Sequence, residues 1–199
     1  MRSRPVLAAG AVALALAAAG CGSSSSSGGN QAATPVDPNS AEVSPAGDIP
    51  DNQAFVSYSP PASDFSVKVP EGWARTSANG AVTFSDKLNA ISMQEVAANA
   101  PLTVARASQT EVPKLAQSVK GFQAGKVDSV TRQGGTAVRI SYLADAKPDA
   151  VTGKAGQNAV ERYLFFKGGH EVILTLSGPK GADNVDPWKI VSDSVRWSR

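Results

Sequence analysis

Val160-Glu161-Arg162-Tyr163-Leu164-Phe165-Phe166-Lys167, then Gly168-Gly169, then His170-Glu171-Val172-Ile173-Leu174-Thr175-Leu176 is the stretch that decides the fold. Two runs rich in β-branched and aromatic residues flank a Gly-Gly pair. Both central positions of a two-residue hairpin turn need positive φ, so the pair predicts antiparallel strands. Alternation along the first run sets Phe166 on the opposite face from Tyr163 and Phe165. A filled core is the default for such a strand.

The same pattern repeats upstream. Phe122 to Arg132 and Thr136 to Leu143 flank Gln133-Gly134-Gly135, and Ala81–Phe84 and Ala90–Met93 flank a polar turn at Asp86-Lys87. Phe65-Ser66-Val67-Lys68-Val69 alternates with period two and stops at Pro70-Glu71-Gly72, with Trp73 next. Two segments carry helical spacing instead. Between Leu102 and Lys120, Pro113 would break a continuous helix, so the pattern predicts Thr110 as N-cap, Pro113 in the first turn and an end before Gly121. In the last segment Asp186 suits an N-cap, Pro187 the first helical position, and Trp188, Val191 and Val195 share a face. Strands with interposed helices predict an α+β fold, a mostly antiparallel sheet covered by helices. A pure β-sandwich is the alternative, and it leaves the helical spacing unexplained.

The order strand, Pro-x-Gly-Trp, hairpin, helix, long-stranded meander and closing helix resembles the PsbP-like domain. Phe65 to Trp73 and Val185 to Trp197 carry the resemblance, which covers about residues 58–197. With the N-terminus described next, the chain is similar to small actinobacterial lipoproteins. The resemblance implies a binding or assembly module, and it implies this through fold alone.

The chain opens Met1-Arg2-Ser3-Arg4, followed by 14 residues from Val6 to Ala19 with no charge, then Gly20-Cys21. A spanning helix needs roughly 20 apolar residues, so this run has the length of a signal peptide. Small residues before a cysteine resemble the lipobox of bacterial lipoproteins, although Ala18 stands where that pattern favours Leu. The resemblance implies cleavage before Cys21 and a covalent lipid on its sulfur, with palmitate-type acyl chains. Cys21 is the one cysteine of 199 residues, so no intrachain disulfide can form. Acylation also removes an exposed thiol from an oxidising compartment. The expected place is the cell membrane, lipid-anchored on the extracytoplasmic side.

Three regions follow: 1–20 a signal, 21–54 a Ser/Gly/Pro-rich flexible tether, 55–199 one globular domain. Such a tether buries too little to offset its ordering entropy, and about 32 residues give a reach of roughly 30 Å. Without Arg2 and Arg4, the mature chain has 17 Lys+Arg against 17 Asp+Glu. Nucleic acid as a partner would need a basic excess, so none is expected.

Specific chemistries find little support. His170 is the single histidine and Cys21 is committed, which excludes a Cys/His zinc site; a solvated turn residue is the expectation, and no metal is assigned. Asp183-Asn184-Val185-Asp186 is a thin calcium candidate, half explained by helix capping. No Gly-x-Ser-x-Gly elbow occurs, and Ser177-Gly178-Pro179-Lys180-Gly181 lacks the ending of a phosphate loop. Glu161 and Glu171 are expected to face one another across the Gly168-Gly169 hairpin, the one pairing suited to hydrolysis of sugars. Trp73, Trp188 and Trp197 are expected in the core. No catalytic residue is assigned.

The candidate partner-binding surface is the connection from Asp145 to Asn158, through Lys147, Asp149 and Lys154. It is about three times longer than antiparallel neighbours require. The leading expectation is a non-catalytic binding or accessory module acting with an envelope protein, such as a membrane transporter. A carrier of lipid or another apolar small molecule is the alternative, and a hydrolase is a third.

Overall fold

The computed structural model describes residues 46–148, 153 and 156–198. Cys21, most of the tether, Asp149 and Lys154 lie outside the described residues. Among the described residues, no helix is long and apolar enough to cross a membrane.

Five strands come first: β1 (Phe55–Tyr58), β2 (Phe65–Pro70), β3 (Ala74–Ala78), β4 (Ala81–Asp86) and β5 (Asn89–Ala97). A helical run follows as α1 (Val104–Arg106), a π turn (Ala107–Glu111) and α2 (Val112–Ser118). The meander is β6 (Gln123–Arg132), β7 (Gly135–Asp145), β8 (Gln157–Lys167) and β9 (His170–Pro179). The chain closes with α3 (Val185–Asp193) and β10 (Arg196–Trp197). Seven strands form one antiparallel sheet in the order β3-β4-β5-β9-β8-β7-β6, and β1-β2-β10 form a small second sheet. The expected α+β architecture is what the chain adopts.

The predicted turn holds the register. Gly168 and Gly169 have φ of 59° and 87°, and Lys167 pairs with His170. Alternation then divides the large sheet between two apolar clusters. On one face Met93, Phe165, Leu174 and Leu176 meet Phe65 and Val67 of β2 and Trp188 and Val191 of α3. On the other face Val138, Ile140, Tyr142 and Leu164 meet Ala107 and Leu115 of the helical run. Three layers result, with the small sheet and α3 on one side and α1–α2 on the other.

Pro113 does not delay the first helix. Thr103 caps it, its Oγ1 accepting from the Arg106 amide at 3.2 Å. The π turn widens the ladder, with the Val112 amide reaching back to the Ala107 carbonyl, so the missing Pro113 donor is absorbed within an unbroken run. Thr110 is therefore inside the helix, where its hydroxyl donates to the Arg106 carbonyl at 2.9 Å. The second cap also differs from expectation. Asn184, not Asp186, holds the N-cap position of α3, and Asp186 lies in the first turn, where a carboxylate suits the helix dipole.

The folded unit begins earlier than residue 55. Ile49 is 3% exposed and belongs to the core. Its amide donates to Asn184 Oδ1 at 2.8 Å, while Asn89 and Asn184 both donate to the Gly47 carbonyl at 2.9 Å. Residues 47–49, assigned from sequence to the tether, thus satisfy two buried asparagines.

Candidate functional site

Beside α3, several positions of β6, β7 and β8 on the α3 side of the sheet carry charged groups, bordering a hollow shared with Trp188 and Lys189. Register sets Asp128 opposite Arg139, and Arg139 opposite Tyr163. Arg139 grips Asp128 in a fork, Nε to Oδ1 at 3.0 Å and Nη2 to Oδ2 at 2.9 Å. Its third nitrogen, Nη1, donates to Glu161 Oε1 at 3.1 Å. The Tyr163 hydroxyl donates to the other oxygen of Glu161. Arg132 stacks its guanidinium 5.7 Å from the Tyr163 ring centre and donates from Nε to Ser192 Oγ of α3 at 3.0 Å.

Trp188, itself buried, lines two hollows on this face. One, of about 240 Å³, is bounded by Arg132, Arg139, Glu161, Tyr163 and Lys189. The other, of about 340 Å³, runs along Gln123, Gly125, Ser141 and Leu143. The two share Ala159, Glu161 and Trp188 and together make a groove, mainly apolar in lining, whose charged groups lie around the first hollow.

The network has settled charges. The hydrogen bond from Arg139 holds the Asp128 carboxyl down at about 2, against an opposing contribution from burial, with Lys126 adding a smaller pull. The same bond pushes the Arg139 guanidinium further up. Burial, reinforced by Glu161, pushes the Tyr163 phenol up. At neutral pH Asp128 and Arg139 are ionised and Tyr163 is neutral. Such a set orients and recognises polar groups. It offers neither a carboxylic acid nor a phenolate at Asp128 or Tyr163 for proton transfer.

The residues singled out by sequence scatter. Glu161 pairs with Leu176 and Glu171 with Phe166, which puts the two carboxylates on opposite faces of the sheet. They cannot act on one bond. Glu171 faces the helical run, where burial and Glu111 raise its pKa. Trp188 is buried, but Trp73 and Trp197 are only half-buried, and Trp197 Nε1 donates to the Gly134 carbonyl at 2.9 Å. Lys147 is exposed just past β7, where the Ala146 amide donates to the Gly156 carbonyl at 2.9 Å. His170 is 46% exposed yet not merely solvated. Its Nδ1 lies 2.9 Å from Glu95 Oε1, and Asp64, Glu95 and His170 offer ligand atoms that all lie within 4.8 Å of one another.

Sequence reasoning missed Asp128, Arg139 and Arg132. A signal existed: with Arg132 and Gly135 paired across the turn, Asp128 and Arg139 fall opposite each other by counting outward.

No family model and no curated protein matches this sequence. Solved structures do match. Cyanobacterial PsbP (CyanoP) from Synechocystis is 14% identical, with a TM-score of 0.51, over 79% of this chain and 96% of that one. The Ran-binding protein Mog1p of Saccharomyces cerevisiae is 11% identical, with a TM-score of 0.51, over 73% of this chain and 96% of that one. LpqN of Mycobacterium tuberculosis, described as involved in cell envelope biogenesis, is 16% identical over 72% and 88%, with a TM-score of 0.41, too loose to carry an argument. This chain also spans about half the length, 46%, of a matching protein from Bacteroides thetaiotaomicron. At such identities the likeness establishes fold alone, and the fold is PsbP-like.

Proposed function

We propose that this chain is a non-catalytic binding module, anchored by lipid on Cys21 to the outer face of the cell membrane. Its partner is an envelope protein, a membrane transporter being one form, and its recognition surface is the Trp188 groove. The observation that carries the reading is the pairing of a self-satisfied ionic network with the Trp188 side chain that lines both hollows. Asp128, Arg139, Glu161 and Tyr163 already use one another, so they are held rigid without a ligand. A pre-ordered surface loses little entropy on binding. Mog1p is by its name a Ran-binding protein, which supports the view that this scaffold accommodates a protein interface.

A lipid carrier fits less well, because the hollows beside Trp188 are small, about 240 and 340 Å³, and Arg132, Arg139, Glu161 and Lys189 border the first of them. Ligand pockets of about 300–1,000 Å³ lined mainly by apolar groups are the usual form. A hydrolase loses its one carboxylate pair to the opposite orientation of Glu161 and Glu171.

The test is photo-crosslinking in intact cells from Val185, which is 72% exposed beside the groove, and from Gln109 on the helical run as control. A discrete membrane-protein adduct from position 185, and none from 109, is expected. Equal labelling from both positions would remove the groove from consideration. Cys21→Ser should release the protein from the membrane fraction, and retention there would remove the anchor.

A further inference from the structure

Asp64, Glu95 and His170 come from three distant parts of the chain and meet at one mouth of the molecule. Asp64 immediately precedes β2 of the small sheet, Glu95 lies on β5, and His170 opens β9 of the large sheet. Ala97 pairs with His170 and Glu95 with Val172, so alternation turns both Glu95 and His170 toward the small-sheet side. Glu95 is only 14% exposed. Its Oε2 accepts from the Asp64 amide at 3.0 Å, which aims its Oε1 at His170 Nδ1, 2.9 Å away. The three side chains border two clefts, of about 270 and 280 Å³, that meet at His170.

We infer that this cluster is a binding site for a divalent transition-metal ion, zinc being the best-suited probe. Two carboxylates and one imidazole are the oxygen and nitrogen ligands that zinc accepts, at about 2.0–2.2 Å each. On a tetrahedral ion with such bonds, ligand atoms stand roughly 3.4 Å apart. The cluster's atoms, all within 4.8 Å of one another, reach that spacing by side-chain adjustments of up to about 1.4 Å. The Glu95–His170 contact opens as the ion takes its place, the imidazole ligating through Nδ1 with its proton on Nε2. Three protein ligands leave a fourth position facing the clefts, for water or a donor from a partner. Lys167 and Trp197 share the cleft with Asp64 and His170, so Lys167 is a nearby competing cation and Trp197 a built-in reporter. The ion would fasten the entry of β2 to β5 and β9, joining the small sheet to the large one.

Reading the sequence alone assigns no metal, because these residues stand 31 and 75 positions apart and only the fold unites them. Because His170 is the single histidine, its imidazole resonances are unambiguous. The experiment takes the whole purified chain, with no histidine tag, from the chelator-treated state and titrates it with zinc chloride by calorimetry. One equivalent is expected to bind at micromolar or tighter Kd, with a shift of the His170 imidazole signals and a melting point higher by several degrees. Glu95→Gln and His170→Asn should each weaken binding at least tenfold while melting cooperatively in chelator. Cobalt in place of zinc should give the visible bands of a tetrahedral site. Zinc binding that leaves the His170 signals unmoved, or a wild-type Kd above a millimolar, would overturn the assignment. So would wild-type affinity in both variants. The His170 readout needs no variant, so a substitution that fails to fold does not protect the idea.

Discussion

Asp128→Asn isolates the ionic network of the groove, because it keeps the side chain's shape and removes its charge. In the wild type Arg139 donates two bonds of 2.9–3.0 Å to Asp128. A carboxyl that moves from 3.8 to about 2 on folding is stabilised by at most about 2.4 kcal/mol. That ceiling has to be lowered. Asp128 keeps 17% of its side-chain exposure, and the Lys126 that flanks it is 71% exposed. Solvent screening brings the expected loss to about 1 kcal/mol at neutral pH, or roughly 2–4 °C in melting temperature for a domain of this size. The pH dependence has a definite sign. The folded pKa lies below the unfolded one, so the contribution is complete above pH 3.8 and fades as pH falls toward 2. Urea melts of wild type and variant at pH 7, and then at steps from pH 5 to 2.5, should show a gap that narrows with acidification. A gap under about 0.3 kcal/mol at pH 7, or one that stays constant down to pH 2.5, would refute the reasoning.

Other perturbations follow from burial and geometry. Phe165→Ala, at a fully buried position, should cost about 3–5 kcal/mol in denaturant melts, whereas Trp73→Ala, half-buried, should cost about 1–2 kcal/mol. Equal losses would contradict their placement. A Cβ on Gly178 would stand 2.3 Å from Asn89 Oδ1 and 2.8 Å from Asn184 Nδ2, so Gly178→Ala should break the tie to Gly47 and expose residues 46–50 to protease; a variant as resistant as wild type would speak against it. Glu171 is held above the usual carboxylate range, first by burial and then by Glu111, so its charge opposes folding and is relieved as pH falls through its raised pKa. Glu171→Gln should therefore raise the melting temperature at pH 7 and lose that advantage in acid, and a lower melting temperature at pH 7 would show that pairing with Arg162 prevails. Replacing residues 146–156 between β7 and β8 with a short Gly-containing turn should leave the fold intact, since loop closure costs little. It should abolish partner crosslinking if Lys147, Asp149 and Lys154 make contact, and full crosslinking would reduce the segment to a tolerated insertion.

What was legible in the sequence is what is decided locally. The Gly168-Gly169 hairpin was readable because few residues accept positive φ in succession, and the Gln133-Gly134 turn because glycines, one of them at positive φ, interrupt two alternating runs. The start of the first helix was not readable, since Pro113 argues for a break and a π turn is an accommodation that shows only in the ladder. The cap at Asn184 was hidden for a different reason. Its side chain serves Gly47, Ile49 and Asn89, partners as far as 137 residues away, instead of its own helix. The Glu161 and Glu171 pairing was open to correction from sequence alone. Once the two-residue turn sets Lys167 opposite His170, counting back puts Phe166 opposite Glu171, on the other face from Glu161. The ionic network was half legible, by the same counting around the preceding turn.

The ionic network has a structural explanation that competes with a binding role, and the two can be separated on position. β6 ends the large sheet, and an uncovered sheet edge invites pairing with another chain. Charges at Lys126 and Asp128 and the register shift between Ala124 and Val127 are ways of blunting such an edge. That accounts for β6 and, through the Arg139 fork, for β7. It does not account for what lies further in. Glu161 and Tyr163 are on β8, two strands from the edge, and Tyr163 is 1% exposed. Arg132 is bound to α3 through Ser192 and stacked on Tyr163, which protects no edge. Nor does edge protection require an indole lining two hollows. The part of the network that edge defence leaves over is the part that surrounds Trp188, and it is on that part that the proposed binding surface rests.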